Sequence, residues 1–594
     1  MCHADLNRHY YEVECRLENP AVEQRFMLPS WIPGSYLLRE YARHVVSIRA
    51  ESAGRALAVE KVDKSTWCCR NAGAELVVTI EVYALDLSVR GAYLDGTRSF
   101  FNGTCLFLSP HGQEHEPTEL LLEPPKDPRC AKWRVATAMT PVDVDDRGFG
   151  RYQAADYDEL IDHPFEISDH AVADFQAGGV PHQLIVAGRH ETDLDRVAAD
   201  LTQLCETQIQ FFGGAPPFEH YRFLGLAVGK GYGGLEHRAS SSLVFKRDDL
   251  PRPGQLGVPR SYQRFLSLCS HEYFHSWHVK RIKPAAFSPY RLDRRNQTRL
   301  MWVFEGVTSY YQDLMLLRSN LIGPKDYLER LGQMLTRVYR NLPRRFKQSI
   351  AEASFDAWDK LYKPDANTNN AAVSYYSKGA LVALALDLTL RSATDSAATL
   401  DRVMAELWQR FGMTVGGVAE DDFEKLVEEL SGRDLQAFFD AAVRGTEDLP
   451  LPELLAGFGV KLGFRAASGL GDLGGSKRGA SAKGLLSLGA RFTEHDSGLE
   501  LTQLLDGGTA QSAGLSPGDH LIALDGFKIS ASKLAEQLAC FDEGDTVSVN
   551  AFRGDELREF SLTLQKAPIT TCFLEFDDEA AAVDLARREL WLGS

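Results

Sequence analysis

In the run SLCSHEYFHSWHVKR, residues His271, Glu272 and His275 spell His-Glu-x-x-His. A helix advances ~100° per residue, so positions four apart sit one turn along and ~40° around, and both imidazoles can grip one cation. Glu272 lies near the same face, within reach of a water as general base. Neutral imidazoles suit zinc, and a catalytic zinc keeps three protein ligands and one open position. The spacing points to metal-assisted hydrolysis with one zinc ion per chain. The competing reading is a chance match in a chain with 16 histidines. Local pattern weighs against chance. Phe265, Leu266, Leu268, Cys269 and Phe274 recur in helical rhythm, and Pro284 marks the expected end of the helix.

A third ligand is required, and Glu305 in MWVFEGVTSYYQDLMLL is the candidate. A carboxylate among Trp302, Val303, Phe304 and Val307 is costly unless paired or ligated. Asp293, in the charged run RLDRRNQ, is the weaker rival. His278 shares the helix stripe one turn on, either as a group behind the ligands or as an ordinary half-buried histidine. Upstream, GKGYGGLEHRASSS follows an expected strand; Gly233 and Gly234 allow close backbone approach, and Glu236 falls on what reads as an edge strand. A carboxylate there can hold an α-ammonium by a charge-assisted hydrogen bond; an exposed turn glutamate is the plain alternative. Downstream, Tyr375 and Tyr376 precede the apolar run GALVALALDL. A phenol so placed could donate to an oxyanion, although with 20 tyrosines a packing role is the default.

The surrounding elements divide the chain into several domains, as 594 residues require. Short β-branched and aromatic runs (HYYEVECRL, ELVVTIEVYAL) fill residues 1–155 and predict a β-sandwich-like domain. Strands QLIVAGR and YRFLGLAVG and the helix DLDRVAADLTQLCETQIQFF belong to 156–335, and helices dominate 336–455. A Gly/Ser/Ala-rich break over 465–484 reads as flexible. Residues 485–567 form a small strand-rich module, and a helical tail over 568–594 is expected to dock through Leu585, Leu590, Trp591 and Leu592. The fold class is therefore α+β and multidomain. A formal charge of −17 argues against nucleic acid or an anionic membrane as partner. No apolar run reaches the ~18 residues of a membrane span, and no leader is visible. Ten cysteines without paired spacing read as reduced thiols, hence a cytoplasmic protein.

In order, GGLEH, HEYFH, WVFEG and YSKG resemble the motifs of the gluzincin aminopeptidases. With LPSWIPGSYLLREYARHV, HEYFHSWHVKRIKP and SAGLSPGDHLIALDG, nearly the whole chain resembles the glycyl aminopeptidase family of PDZ-containing bacterial metallopeptidases. The resemblance implies a thermolysin-like zinc catalytic domain at 156–335 and a PDZ-like domain at 485–567. It implies His271, His275 and Glu305 as zinc ligands, Glu272 as base, Glu236 as anchor for the substrate amine, and Tyr376 as transition-state donor. The implied reaction releases N-terminal residues, small ones such as Gly or Ala, from peptides with a free amino terminus. An endopeptidase with a similar centre, its PDZ-like domain recruiting substrate C-termini, is the alternative. In that domain Leu488 and Gly489 are candidates for a carboxylate-binding loop, against a purely packing role. One departure from the family pattern stands out: His278 occupies the place of an expected Asn after Trp277.

Overall fold

In Tyr10–Glu18 the side chains of Tyr11, Val13 and Leu17 are buried while Glu12, Glu14 and Glu18 stay at least partly exposed. That period of two makes a strand with one apolar face. It pairs antiparallel with Glu75–Tyr83, Val13 opposite Ile80 and Leu17 opposite Leu76, at the centre of a five-stranded sheet. The computed structural model describes residues 2–340, 346–469, 471–477 and 485–593. It separates into two units: Met1–Gln297 with Ser319–Leu321 and Met404–Ala419, and Thr298–Arg318 with Ile322–Val403 and Glu420–Ser594.

The first unit carries the N-terminal sheets and then a second five-stranded sheet. Its strands are β1 (Ala171–Ala177), β2 (Val180–Ala187), β3 (Tyr221–Val228), β4 (Gly233–Glu236) and β5 (Ser240–Lys246), in the order β1-β2-β3-β5-β4. β2, β3 and β5 run parallel, and β4 returns antiparallel along β5 as the edge. Two helices accompany the sheet, α1 (Leu194–Phe211) and α2 (Arg260–Phe274). A buried Gln208 amide on α1 donates to the carbonyl and hydroxyl of Ser270 on α2, at 3.0 and 2.8 Å. Around them Phe212, Phe218, Tyr221, Phe223, Tyr273 and Trp277 form one aromatic cluster.

The second unit is helical at its centre: α3 (Val307–Arg318), α4 (Pro324–Tyr339) and α5 (Ser377–Ala393). α5 is apolar around most of its circumference, and residues Gly379–Leu388 are all buried. The C-terminal strand-rich module has its own core of Leu499, Leu501, Leu521, Val549 and Leu562 under a sheet of strands Ala490–His495 through Glu556–Thr563. The tail helix, Ala582–Leu592, corrects one expectation. Trp591 and Leu592 are buried, and the Trp591 indole donates to the Tyr310 hydroxyl, but Leu590 is 59% exposed. A helix turns ~100° per residue, so three consecutive side chains cannot all face one partner.

Within the break expected over 465–484, Arg465 and Asp472 form a buried pair, and Gly475 bridges to Phe573. Residues 470 and 478–484 lie outside the described residues. Among the described residues no helix is long and apolar enough to cross a membrane.

Candidate active site

α2 carries His271 and Glu272 in its last turn and His275 at its C-cap, and it stops at Phe274, well short of the expected end at Pro284. Polar groups collect the carbonyls there. The Lys280 amide donates to His275 O at 3.1 Å and the Arg281 guanidinium to Ser276 O at 2.7 Å, so no helical amide is needed. Val279, at φ 152°, completes the reversal. His278 is thereby taken off the helix stripe. It is fully buried, and its carbonyl oxygen lies 2.7 Å from His275 Nδ1. A carbonyl can only accept, so Nδ1 carries the proton and Nε2 keeps its lone pair, the tautomer that a metal requires.

His275 Nε2 faces His271 Nε2 at 3.0 Å, with the rings nearly perpendicular at 87°. Two nitrogens at ~2.0–2.1 Å from one tetrahedral zinc lie about 3.3 Å apart, so the pair fits such an ion with a few tenths of an ångström of adjustment. Glu236, Glu272 and His275 also converge, each offering an atom within 4.8 Å of the other two, and all three are buried. Asp293 is not a competitor: it is partly exposed and paired with Arg294 at 2.6 Å.

Glu236 ends the edge strand β4, where the sequence placed it, with 3% exposure and one carboxylate oxygen lacking any partner among the described residues. Such an oxygen is costly to bury and invites a cation. One of its close neighbours comes from far upstream in the sequence. Gly34, in the SWIPGSY loop of the N-terminal domain, sits with φ +90°, and a Cβ there would stand 2.6 Å from both Glu236 oxygens. Trp31 holds this loop by donating to Arg291 O at 2.9 Å and packing on Phe287 and Tyr290. Gly234 is glycine for a related reason: a Cβ would fall 2.1 Å from Glu272 Oε1. Gly233 is roomier, its nearest atom an Arg90 nitrogen at 3.8 Å, while Arg90 itself donates to Gly234 O at 3.1 Å.

Behind this edge lies Asp162, which accepts from Lys280 Nζ at 2.8 Å, Arg238 Nε at 3.0 Å and His237 Nδ1 at 3.2 Å. Burial pushes its carboxyl up, but Lys280, His237 and Arg238 outweigh burial and hold it well below the usual range. One charge thus ties the residues following Glu236 to the turn following His275. No local pattern marks Asp162, and nothing in LPSWIPGSYLLREYARHV ties Gly34 to a glutamate some two hundred positions away.

His182 on β2 braces the helix from the other side, its Nε2 2.9 Å from the Tyr273 hydroxyl. Burial lowers His182 from 6.5 to about 4, and His170 likewise. Below pH 6.5 the unfolded chain takes up protons that these folded imidazoles refuse. Their stabilisation is full above pH 6.5 and declines as pH falls toward 4, by up to ~1.4 kcal/mol per pH unit for each group. Melting temperatures measured across pH 7 to 4 should fall over this window, with a shallower slope in His182→Gln.

In the second unit Glu305 is 2% exposed and lies in a π-helical turn, Trp302–Gly306, that leads into α3. A π turn inside a helix re-aims one side chain and is frequent at functional sites. The Trp302 amide donates to Ser354 Oγ at 3.0 Å, and Gly306 meets α5 backbone to backbone at Gly379. Tyr375 and Tyr376 lead into α5, rings stacked at 4.7 Å. Tyr375 is wholly buried, its phenol pushed well up by burial and further by the neighbouring Tyr362 and Glu305. Tyr376 is half-buried. In the C-terminal strand-rich module Leu488 is buried in the core, its carbonyl accepting from Ala510 N, while the Gly489 amide donates to Ser487 Oγ at 3.1 Å.

A half-buried and a buried imidazole face each other with a buried carboxylate between them in sequence, beside a mixed sheet, the donor types found in metallopeptidase centres. Family models match residues 3–169 (Peptidase M61 N-terminal domain), 264–382 (M61 glycyl aminopeptidase) and 487–564 (PDZ domain). A crystal structure of an aminopeptidase N family protein from Idiomarina loihiensis is 40% identical, covers 100% of this chain and 99% of its own, and superposes with a TM-score of 0.95. An M1 zinc metallopeptidase from Deinococcus radiodurans shares 12% identity over 75% of this chain and 92% of its own, at a TM-score of 0.46. Comparison with curated proteins gave no match. The chain belongs to the M61 glycyl aminopeptidase family and is a peptidase.

Proposed function

We propose that this protein is a zinc-dependent aminopeptidase that releases N-terminal residues, small ones such as Gly or Ala, from peptides. The observation that carries this reading is the His271–His275 pair, with its tautomer set by the His278 carbonyl. Glu305 completes the ligand set for one ion per chain, a role supported by its burial and its π turn. Zinc, when bound, supplies a Lewis acid that polarises the scissile carbonyl and makes water a better nucleophile. Glu272 takes the proton of the attacking water on its carboxylate and passes it to the departing amine. The Tyr376 hydroxyl donates to the oxyanion as the carbonyl becomes tetrahedral. Glu236 holds the substrate ammonium, which fixes register so that the first peptide bond is the one cut. The preference for small first residues rests on the family resemblance.

In the PDZ domain Leu488 and Gly489 are read as packing residues, supported by the burial of Leu488 and the engaged Gly489 amide. A panel of free and N-acetylated aminoacyl amides and peptides, assayed with and without chelator, tests the function. The expected result is cleavage of free-amine substrates only, lost on chelation and restored by zinc. Efficient cutting of acetylated or internal sites would instead establish an endopeptidase, and indifference to chelation would remove the metal from the reaction.

A further inference from the structure

Tyr376 does not stand alone: its hydroxyl lies 2.8 Å from that of Tyr362, fourteen residues earlier. If Tyr376 donates its proton to an oxyanion, its oxygen is left to accept, and Tyr362 is the donor in place. Hydrogen bonds arranged in such a chain polarise one another, so the second phenol strengthens the first as a donor and fixes its direction. The segment joining the two tyrosines is clamped at its middle by the PDZ domain. Asn370, 4% exposed, donates to Leu504 O at 2.8 Å and to Asn367 Oδ1 at 3.1 Å, while its own oxygen accepts from Asp506 N at 3.0 Å. Asn369 bonds the Gln503 side chain, and Lys347 pairs with Asp506. A side-chain amide satisfied on both ends by the backbone of another domain is a specific latch. Leu505, inside that same stretch, donates to Gly489 O.

We infer that the PDZ domain acts as a brace for the reaction: seated on Asn370, it holds the Tyr362–Tyr376 phenol pair in the donor geometry. Tyr362 and Asn370 are positioning residues. This inference rests on the reading of Tyr376 as oxyanion donor.

The test uses full-length Tyr376→Phe, Tyr362→Phe, Asn370→Ala and the Tyr362→Phe/Asn370→Ala double variant, each with zinc content and melting temperature measured beside kcat and KM. Tyr362→Phe and Asn370→Ala should each lower kcat about 10-fold with KM within about twofold, as expected for a contact made only in the transition state. Residues acting through one another are not additive, so the double variant should also lose about 10-fold rather than about 100-fold. A multiplicative loss in the double variant, or full kcat in Tyr362→Phe while Tyr376→Phe is impaired, overturns the brace alone. Full kcat in Tyr376→Phe overturns the donor reading on which it stands. Should Asn370→Ala not fold, Tyr362→Phe, which removes one oxygen, still decides the matter.

Discussion

Glu272→Gln should bind zinc as the native protein does and yet lose about 10²- to 10⁴-fold in kcat, the range attributed to a positioned general base. Gln matches Glu in shape but cannot take a proton at neutral pH. The substitution therefore separates chemistry from architecture. Geometry favours this side chain for the role: it is buried, approaches His275 and Glu236 within 4.8 Å, and presses so closely on Gly234 that a Cβ there would collide with Oε1. Its position is fixed by contact with a strand backbone rather than by rotamer preference alone. Metal analysis together with initial rates on an alanyl amide decides the point, and near-native turnover in a zinc-loaded variant would end the assignment.

Glu236→Ala should lower kcat/KM for free-amine substrates about 10- to 100-fold, the cost of removing one charge-assisted hydrogen bond. The same variant should narrow the gap between free and N-acetylated substrates, because the acetyl group no longer meets a carboxylate stripped of its partner. The Glu236 oxygen without a partner among the described residues is the structural reason to expect a large effect: on the proposed reading, an incoming ammonium offsets the burial of that carboxyl. If the variant kept its full preference for free amines, recognition of the amino terminus would have to reside elsewhere.

Residues that act through local spacing were legible in the sequence. His271, Glu272 and His275 announce themselves by a four-residue step on a helix, and Glu236 by a glycine-rich strand at a sheet edge. The apolar run after Tyr376 likewise foretold α5. What escaped were features decided by partners far along the chain. α2 ends at Phe274, and just beyond it the Lys280 amide and Arg281 guanidinium take the carbonyls of His275 and Ser276, a competition that no propensity records. The π turn at Glu305 hides in WVFEG, where every neighbour is apolar and the periodicity is blurred. Asp162 reads as one acid among 82 until His237, Arg238 and Lys280 are seen around it. Tyr362 sits in a polar stretch with no period, and only the 2.8 Å contact singles it out. Leu590 shows the opposite error, an apolar residue credited with docking that its helix turns toward solvent.

The loop bearing Gly34 has a bearing on how this enzyme could diversify. The wall beside Glu236 is built by a stretch some two hundred positions upstream, steered by an indole anchored on Arg291. On the proposed reading of Glu236 as the amine anchor, recognition of the leading residue is partly written in a domain that contributes no reacting group. On that reading, exchanging the SWIPGSY loop between relatives should retune recognition of the first residue while leaving the hydrolytic apparatus intact.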